Sequence, residues 1–481
     1  MKKILRAASL MAVTIFALAG CVAEPTNTAN TANTNAANAN TNNSPAATNA
    51  PAANAGAANT AGVPVTLPVV DAMFADESFA GELKSKLQLT DEQVEKLRSI
   101  AREQTATLRE NGGESDDYGG STSAASRRAD EQIKSVLGEE KARQFAAFVR
   151  ERWGSGGSGD GAGAAAGLPA KPNSIPTDTR IVVNAPAYRM DVFENGKLTK
   201  TYKVGIGYPE FPLPTGLRKA DTIIFNPTWT PPDEPWVEAP DSKVKPGQKV
   251  EAGSKLNPLG LIKIPIGLPS LIHGGKSAAK LGTFASHGCV GLTNEKVQDF
   301  AQVLAQMSGT QLSKEDVLAY AKNRTETRNV KLGRAVPVEL RYETIVVEDG
   351  RLRIFRDVYD HGTNTEDNLR AVLEAHGVSL DQLSEQERAR VTDALRQMAR
   401  DATGKPADGA PSASPTPSPA KNTNANGGEE RVTRSVKGQK EITIELAALQ
   451  GKGYPAPAGM DDKGSQKKGS SSSAASSGRR G

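Results

Sequence analysis

Residues 271–292 read LIHGGKSAAKLGTFASHGCVGL and concentrate the reactive side chains of this chain. The window holds two of the four histidines, His273 and His287, and one of the two cysteines, Cys289. Gly288 separates His287 from Cys289, and a glycine permits a tight backbone turn that would expose the sulfur. We therefore take this window as the candidate functional centre.

The other cysteine belongs to the N-terminal segment MKKILRAASLMAVTIFALAGC. Three basic residues precede an apolar run of signal-peptide length, which ends in small residues before Cys21. The pattern resembles a bacterial lipobox, with residues 1–20 as the signal peptide and Cys21 as the lipidated residue. An ordinary signal peptide that contains a cysteine is the simpler alternative. Lipidation would anchor an exported protein to a membrane facing the periplasm. Val22, where Gram-negative sorting rules would place Asp for retention, favours the outer membrane.

Export gives Cys289 a particular meaning, because an exported chain resides in an oxidising compartment. If Cys21 carries lipid, Cys289 has no internal disulfide partner, and an unpaired thiol needs a reason to persist there. Three explanations compete: a thiol nucleophile served by an imidazole, a metal site made by His273, His287 and Cys289, and an inert cysteine beside structural histidines.

The nucleophile explanation requires a base or a lowered thiol pKa, because only the thiolate attacks. An imidazole meets both needs, and backbone N–H groups near His287, Gly288 and Cys289 are candidates for binding an oxyanion. Zinc suits the residue types, but the His-x-Cys spacing is tight and a fourth ligand is lacking. We predict that the site needs no metal and no cofactor.

Composition divides the chain into candidate folded segments and linkers. The net charge of +4 over 481 residues argues against nucleic acid as a main partner. After the signal peptide the predicted divisions are a lipidated cysteine with an Asn-, Thr- and Ala-rich linker (21–66), a helical hairpin (67–153), a Gly-rich linker (154–174), a strand-rich domain ending in a hairpin (175–360), a helical segment (361–400) and a disordered tail (401–481).

Local signals support these divisions. Thr90 with Gln93 forms a capping box at a helix start. Asn195-Gly196 and Asp349-Gly350 each separate two apolar runs, which is typical of β-hairpins. The helical hairpin is interpreted as a spacer or as a module that binds a protein partner. Within the tail, 441–449 (EITIELAAL) is apolar enough to pair with another segment.

The strand-rich domain resembles the L,D-transpeptidase catalytic domain, also called the YkuD-type domain. The motifs that carry the resemblance occur in the family's order: Pro214-Thr215-Gly216, Asn226-Pro227-Thr228-Trp229, Asn257-Pro258-Leu259-Gly260, Ile272-His273-Gly274 and Ser286-His287-Gly288-Cys289. The resemblance covers about 175–360. It implies a mainly β catalytic domain, a YkuD-type β-sandwich with short helices, flanked by small α-helical segments and by a disordered tether and tail.

The resemblance also implies an activity, cysteine-dependent acyl transfer on peptidoglycan stem peptides. Cys289 would be the nucleophile and His273 its base, while His287 would orient the thiol or the oxyanion and Ser286 and Gly288 would fix the turn. The acceptor would be an amine of a second stem, an amine of a protein, or water, which would make the protein an L,D-carboxypeptidase. The implied substrate-binding residues are Gly274, Trp229, Asn257 and Gly260.

One position departs from the family pattern. The family usually has arginine two residues after the cysteine, and this chain has Gly291. Arg218 and Lys276 are the candidates to replace that arginine from another loop. The competing interpretation is a non-catalytic peptidoglycan-binding lipoprotein that keeps the same fold.

Overall fold

The structure, a computed structural model, describes residues 64–109, 120–154, 171–231, 243–245, 247–267, 269–406, 430–431 and 433–460. All of them lie in one compact unit, Ala53–Gly481. The predicted signal peptide, Cys21 and nearly all of the linker 21–66 lie outside the described residues. Within the described part, the helices are too short or too polar to cross a membrane.

The first segment is a module of five helices between residues 64 and 154, and the predicted hairpin is wrong in this respect. The helices of this module are α1 (Leu67–Phe74), α2 (Glu77–Leu87), α3 (Asp91–Thr107), α4 (Thr122–Leu137) and α5 (Glu139–Gly154). Thr90 and Gln93 form the predicted capping box at the start of α3. Gly138 follows α4 with a φ of 74°, so the chain turns between α4 and α5 instead of continuing as one helix. The module buries its own apolar core, which includes Phe79, Leu97 and Phe145.

A mixed sheet of eight strands forms the centre of the molecule and gives the predicted mainly β domain. Its strands are β2 (Arg180–Asn184), β3 (Arg189–Glu194), β4 (Lys197–Lys203), β6 (Gly216–Phe225), β7 (Ile262–Pro265), β8 (Leu271–His273), β10 (Val290–Gly291) and β11 (Arg328–Arg341). Their order across the sheet is β10-β8-β7-β6-β11-β2-β3-β4. Two short strands, β5 (Ile206–Gly207) and β9 (Phe284–Ser286), pair separately. A further pair joins β1 (Leu108–Arg109) to β14 (Glu430–Arg431).

Local chemistry explains both the hairpins and the packing of this sheet. Asn195 and Gly196 adopt φ values of 49° and 80° between β3 and β4, the left-handed geometry of a tight hairpin. Helices α6 (Asn294–Met307) and α7 (Lys314–Lys322) follow β10, and α6 buries one apolar face against the sheet. The chain between β8 and β10 returns so that these strands pair in parallel at one edge of the sheet. His273 and the residues after Cys289 therefore become neighbours.

The C-terminal region forms a third body with its own apolar core. It contains β12 (Ile345–Glu348), β13 (Arg351–Phe355), α8 (Glu366–Ala375), α9 (Glu385–Met398) and β15 (Glu441–Glu445). The Asp349-Gly350 hairpin packs on these helices through Ile345 and Ile354, while Val346 and Phe355 pack against Val182 and Phe193 of the central sheet, so the boundary at 360 stays a prediction. The prediction of a disordered tail is wrong for 433–460, because Ile442 and Ile444 pair with β13 and Ile444 is buried.

Candidate active site

A four-residue turn presents Cys289 between β9 and β10. The Ser286 hydroxyl donates to the Cys289 carbonyl at 2.6 Å and accepts from the Cys289 N–H at 3.0 Å. Gly288 has a φ of 84°, which glycine adopts without steric strain. One hydroxyl therefore closes the turn in both directions, and the N–H of Cys289 is engaged rather than available to an oxyanion.

Aromatic side chains of a neighbouring loop pack against the His287 ring. The ring lies edge-to-face against Tyr208 and Phe211, with centroid distances of 5.4 and 4.5 Å. The Tyr208 N–H donates to the Ser286 carbonyl at 2.8 Å. A side chain at Gly207 would collide with the Phe211 carbonyl, so the loop 207–211 folds tightly beneath the turn. This support holds His287 in a fixed orientation.

His273 ends β8 and is 3% exposed. Its Nδ1 lies 2.7 Å from the Gly274 carbonyl oxygen, so Nδ1 donates and Nε2 keeps its lone pair. Burial lowers the pKa of His273 to about 3, with help from the Lys276 ammonium and against the carbonyls of Gly274 and Leu259. The imidazole is therefore neutral and can act as a base.

Cys289 is partly exposed and remains a thiol. Burial raises its pKa above the ordinary value, against the smaller lowering effects of the Leu271 backbone and the Lys276 ammonium. Within the described residues, no hydrogen bond joins Cys289 to His273. These shifts favour a neutral thiol beside a neutral imidazole, which fits the imidazole as a base rather than a lowered thiol pKa.

Both side chains open into one cleft of about 1040 Å³. His287, Ser286 and Trp229 also line it, as expected for a site around the turn. Ala72 of α1 and Ala75, which caps the C-terminal end of α1, contribute to the wall, and so does Arg434 of the C-terminal region. The cleft is therefore built by three parts of the chain, not by the strand-rich domain alone.

The remaining predicted binding residues take other positions. Gly260 has a φ of 69° and packs directly on Gly275, and a side chain at Gly274 would lie 2.7 Å from Asn294 Oδ1. Asn257 donates to the Pro227 carbonyl at 2.7 Å and accepts from the Leu259 N–H. Asn257, Gly260 and Gly274 are not among the described lining residues, so they shape the loops around the cleft.

Asn294 is a positioning residue that the sequence analysis missed. Its side-chain oxygen accepts from the N–H groups of Leu261 and Gly275, each at 3.0 Å, and so ties together the loops on both sides of His273. The available signal was its place at the start of α6, directly after the N-cap Thr293. That signal indicates a helix start but not this long-range contact.

Of the two candidates to replace the family's arginine, the structure places only Lys276 in the cleft. Arg218 is buried away from the described cleft lining and donates to the carbonyls of Trp153 and Gly267, while burial lowers its pKa to about 9. Lys276 lines the cleft, and a Cβ at Gly291 would lie 2.8 Å from its Cγ. Lys276 thus fills the space beside Gly291.

The structure does not support the proposed metal site of His273, His287 and Cys289. Among the described residues, no three His, Cys, Asp or Glu side chains lie close enough together to bind a metal ion.

Comparison with known proteins gives one family-model match, which covers part of the chain. Residues 178–336 match the family model YkuD, the L,D-transpeptidase catalytic domain. No curated protein matches the chain.

Solved L,D-transpeptidases resemble the chain at low identity. One from Mycobacterium smegmatis is 16% identical, with a TM-score of 0.21 over 34% of this chain and 58% of that chain. A mutant enzyme from Enterococcus faecium is 15% identical, with a TM-score of 0.21 over 34% and 50%. The catalytic domain of an E. faecium enzyme is 17% identical, with a TM-score of 0.22 over 35% and 100%. The chain spans about half the length of the two longer proteins. Residues 178–336 are thus similar to the L,D-transpeptidase catalytic domain of the YkuD family.

Proposed function

We propose that the protein is a cell-wall L,D-transpeptidase that uses Cys289 to transfer an acyl group from peptidoglycan tetrapeptide stems to an amine. The observation that carries the proposal is the opening of Cys289 and His273 into one cleft, within a domain whose family acts on stem peptides. Ser286 supports it by fixing the turn that presents the sulfur.

The first half-reaction forms a thioester. His273 Nε2 takes the proton of the Cys289 thiol, and the sulfur attacks the carbonyl at the L-centre of the diamino acid. The tetrahedral intermediate collapses, the bond to the terminal D-alanine nitrogen breaks, and the imidazolium returns its proton to that nitrogen. D-Alanine leaves, and the acyl group stays on sulfur.

The second half-reaction releases the acyl group. An amine of a second stem attacks the thioester and gives its proton to His273, which then reprotonates the departing sulfur. The product is a 3→3 crosslink. An amine of a protein would attach that protein to the wall, and water would give a tripeptide.

The backbone N–H groups of the turn 286–289 would bind the oxyanion. The Cys289 N–H is engaged by Ser286, whereas the Gly288 N–H makes no hydrogen bond within the described residues. A preorganised N–H directed at the developing charge is a strong source of transition-state stabilisation. The Gly288 N–H is therefore the first proposed donor, and His287, fixed by Tyr208 and Phe211, orients the adjoining atoms.

Lipidation at Cys21 and export to the periplasmic face of the outer membrane complete the proposal. An anchored enzyme on a long Asn-, Thr- and Ala-rich leash would sample a polymer that cannot diffuse to it. The helical module of α1 to α5 would also be a surface for a protein partner or acceptor.

A non-catalytic peptidoglycan-binding lipoprotein is the second candidate. One observation favours it: burial raises the pKa of Cys289, which lowers the thiolate fraction of the free protein. Retention of the neutral base His273 in the same cleft favours the enzyme.

The test is product analysis with the full chain in detergent. Purified disaccharide-tetrapeptide is incubated with the protein or with Cys289→Ala, and products are separated by mass. Crosslinked dimer from wild type alone supports transpeptidation, and tripeptide alone reassigns the protein as an L,D-carboxypeptidase. Unchanged tetrapeptide that binds both proteins equally supports the binding module.

A further inference from the structure

Strand β5 closes the loop that carries the catalytic turn. Before Cys289, the Ile206 N–H donates to the Thr283 carbonyl at 3.1 Å. After it, Gly205 and Gly291 exchange two backbone hydrogen bonds, at 2.9 and 2.8 Å. The backbone around β5 therefore holds the chain on both sides of the nucleophile, so a displacement of β5 would move the turn.

Gly207, the second residue of β5, packs directly against the turn. A Cβ at Gly207 would lie 3.1 Å from both the N and the Cα of Gly288. The register partner of Gly207 in β9 is Ser286, whose hydroxyl closes the turn. Because backbone atoms cannot swing aside as a flexible side chain can, the position of Gly207 constrains that of Gly288. The Gly288 N–H is the proposed oxyanion donor, so Gly207 bears on the stabilisation of the transition state.

Tyr359 supplies a buried hydrogen bond to Gly207. Its hydroxyl donates to the Gly207 carbonyl at 2.8 Å, across 152 residues of sequence. Tyr359 follows β13, yet its side chain is fully buried in the apolar core of the central sheet. Burial raises the pKa of Tyr359 well above the ordinary value, against a lowering effect of the Leu213 backbone, so the phenol keeps its proton. Loss of this donor would leave a buried carbonyl short of a partner, which is costly.

The ring of Tyr359 is fixed by its own neighbours. It lies nearly parallel to Phe284 of β9 and to Tyr342, with centroid distances of 6.3 and 5.7 Å. The Tyr359 N–H donates to the Tyr342 hydroxyl at 2.7 Å, and that hydroxyl donates to Asp357 at 2.6 Å. Tyr359 thus contacts both short strands that pair beside the turn, β9 through its ring and β5 through its hydroxyl.

We propose that Tyr359 is a positioning residue for acyl transfer, which acts through Gly207 to hold the Gly288 N–H where it meets the developing oxyanion. The inference rests on the proposed function and adds a residue to its machinery. Tyr359 is not among the described lining residues of the cleft, so it acts through β5 and not by contact with the substrate. It also lies outside 178–336, so the working site depends on chain beyond the residues that match the family model.

The test variant is Tyr359→Phe, which keeps the ring in its stack and removes only the hydroxyl. Tyr188→Phe is the first control, because the buried Tyr188 hydroxyl makes no hydrogen bond within the described residues and its ring packs on the same Phe284. Tyr202→Phe is the second control. It removes the hydrogen bond of a buried tyrosine to Asp299, 2.7 Å long, and so matches the loss of one bond without touching β5.

The first measurement is kcat and KM of the full chain in detergent with disaccharide-tetrapeptide. We expect kcat of Tyr359→Phe to fall about fivefold with KM within about twofold of wild type, because a displaced donor weakens binding of the transition state and not of the ground state. This loss is smaller than the cost of removing an oxyanion donor outright, roughly 10²- to 10³-fold. Both controls should keep kcat within about twofold of wild type.

The second measurement is hydrogen–deuterium exchange in the peptides that contain 205–211 and 286–291, followed by mass spectrometry. Exchange in both peptides should be at least about threefold faster in Tyr359→Phe than in wild type and unchanged in Tyr202→Phe, a local difference that a general loss of stability would not produce. Unchanged exchange or unchanged kcat in Tyr359→Phe would overturn the inference. If wild type shows no turnover, the proposed function fails, while the exchange rates still decide whether Tyr359 holds the turn.

Discussion

The turn that carries Cys289 and the regions flanking the catalytic domain stabilise the site in different ways. The turn closes through Ser286 and Cys289, three residues apart in sequence. The flanks act over long separations: Thr66 donates to the Glu210 carbonyl across 144 residues, and Thr122 donates to the Pro209 carbonyl across 87, each at 2.7 Å.

The C-terminal region contacts the same loop. The Thr433 N–H donates to the buried carboxylate of Glu210 at 3.3 Å. The other side of that loop presents Tyr208 and Phe211 to the His287 ring. The Cys289 turn is therefore held locally, whereas the loop that supports His287 is tied by hydrogen bonds to segments outside 178–336.

The largest effect is expected on the local side, at His273. His273→Gln keeps the approximate size of the ring but cannot accept a proton, so acyl transfer should fall by about 10²- to 10⁴-fold. Steady-state turnover of tetrapeptide measures this loss, with circular dichroism as the control for folding. Activity within a few-fold of wild type would exclude His273 as the base.

The pH dependence of kcat/KM provides a second test of His273 as the base. Because the folded-state pKa of His273 is near 3, below the ordinary 6.5, its neutral form survives in moderately acidic solution. The acidic limb of kcat/KM should then lie below pH 5. An inflection near 6.5 would instead indicate a solvated imidazole.

The free energy of unfolding should depend on pH in the direction set by the lowered pKa of His273. Below about pH 6.5 the unfolded chain binds a proton at residue 273 that the folded chain does not, so His273 lowers folding stability as the pH falls towards 3. The free energies of unfolding of wild type and His273→Gln are compared at pH 7.5 and pH 4.5. The variant should gain stability relative to wild type at the lower pH, and a pH-independent difference would contradict the buried neutral histidine.

A smaller effect is expected at Gly291, still within the local region. Gly291→Ala places a Cβ 2.8 Å from Lys276 Cγ, so the lysine must move and turnover should fall several-fold. Gly81→Ala is the matched control, because nothing lies within 4 Å of a Cβ at Gly81. Gly291→Arg combined with Lys276→Ala should recover more activity than Gly291→Arg alone. If the double variant is no more active than Gly291→Arg alone, the side chains at positions 276 and 291 do not compete for the same space.

The smallest effects are expected in the flanks. Thr122→Val removes one buried hydrogen bond, about 1 kcal/mol of unfolding free energy, and loosens the loop behind His287. Thr66→Val removes the corresponding bond to Glu210 and also the N-cap contact from the Val69 N–H. Turnover should fall by a few-fold with little change in KM. Thr325→Val, at an exposed position, is the control. Unchanged turnover in both flank variants would confine the site to residues 178–336.

The sequence predicted the local features because their causes are local. The Thr90 capping box, the Asn195-Gly196 turn and the Ser286-to-Cys289 turn depend on residues within a few positions of each other. The His273–Cys289 neighbourhood came from a resemblance, since its spacing alone left three explanations open.

The long-range features escaped sequence analysis for an equally physical reason. Lys263 precedes His273 by ten positions and becomes its neighbour only through the β7–β8 register. Thr122 resembles any other threonine near a helix start, and nothing local indicates its acceptor at Pro209. The apolar run at 441–449 indicated a segment that pairs with another. Its partner, β13, is evident only from the fold of the C-terminal region.

The intact mass of the full chain after brief incubation with purified disaccharide-tetrapeptide tests the central claim most directly. The account predicts a wild-type adduct equal to the donor minus D-alanine, absent from Cys289→Ala and released by a thiol or amine nucleophile. An adduct that persists in Cys289→Ala, or an unmodified wild-type protein while tetrapeptide is consumed, would contradict thioester catalysis by Cys289.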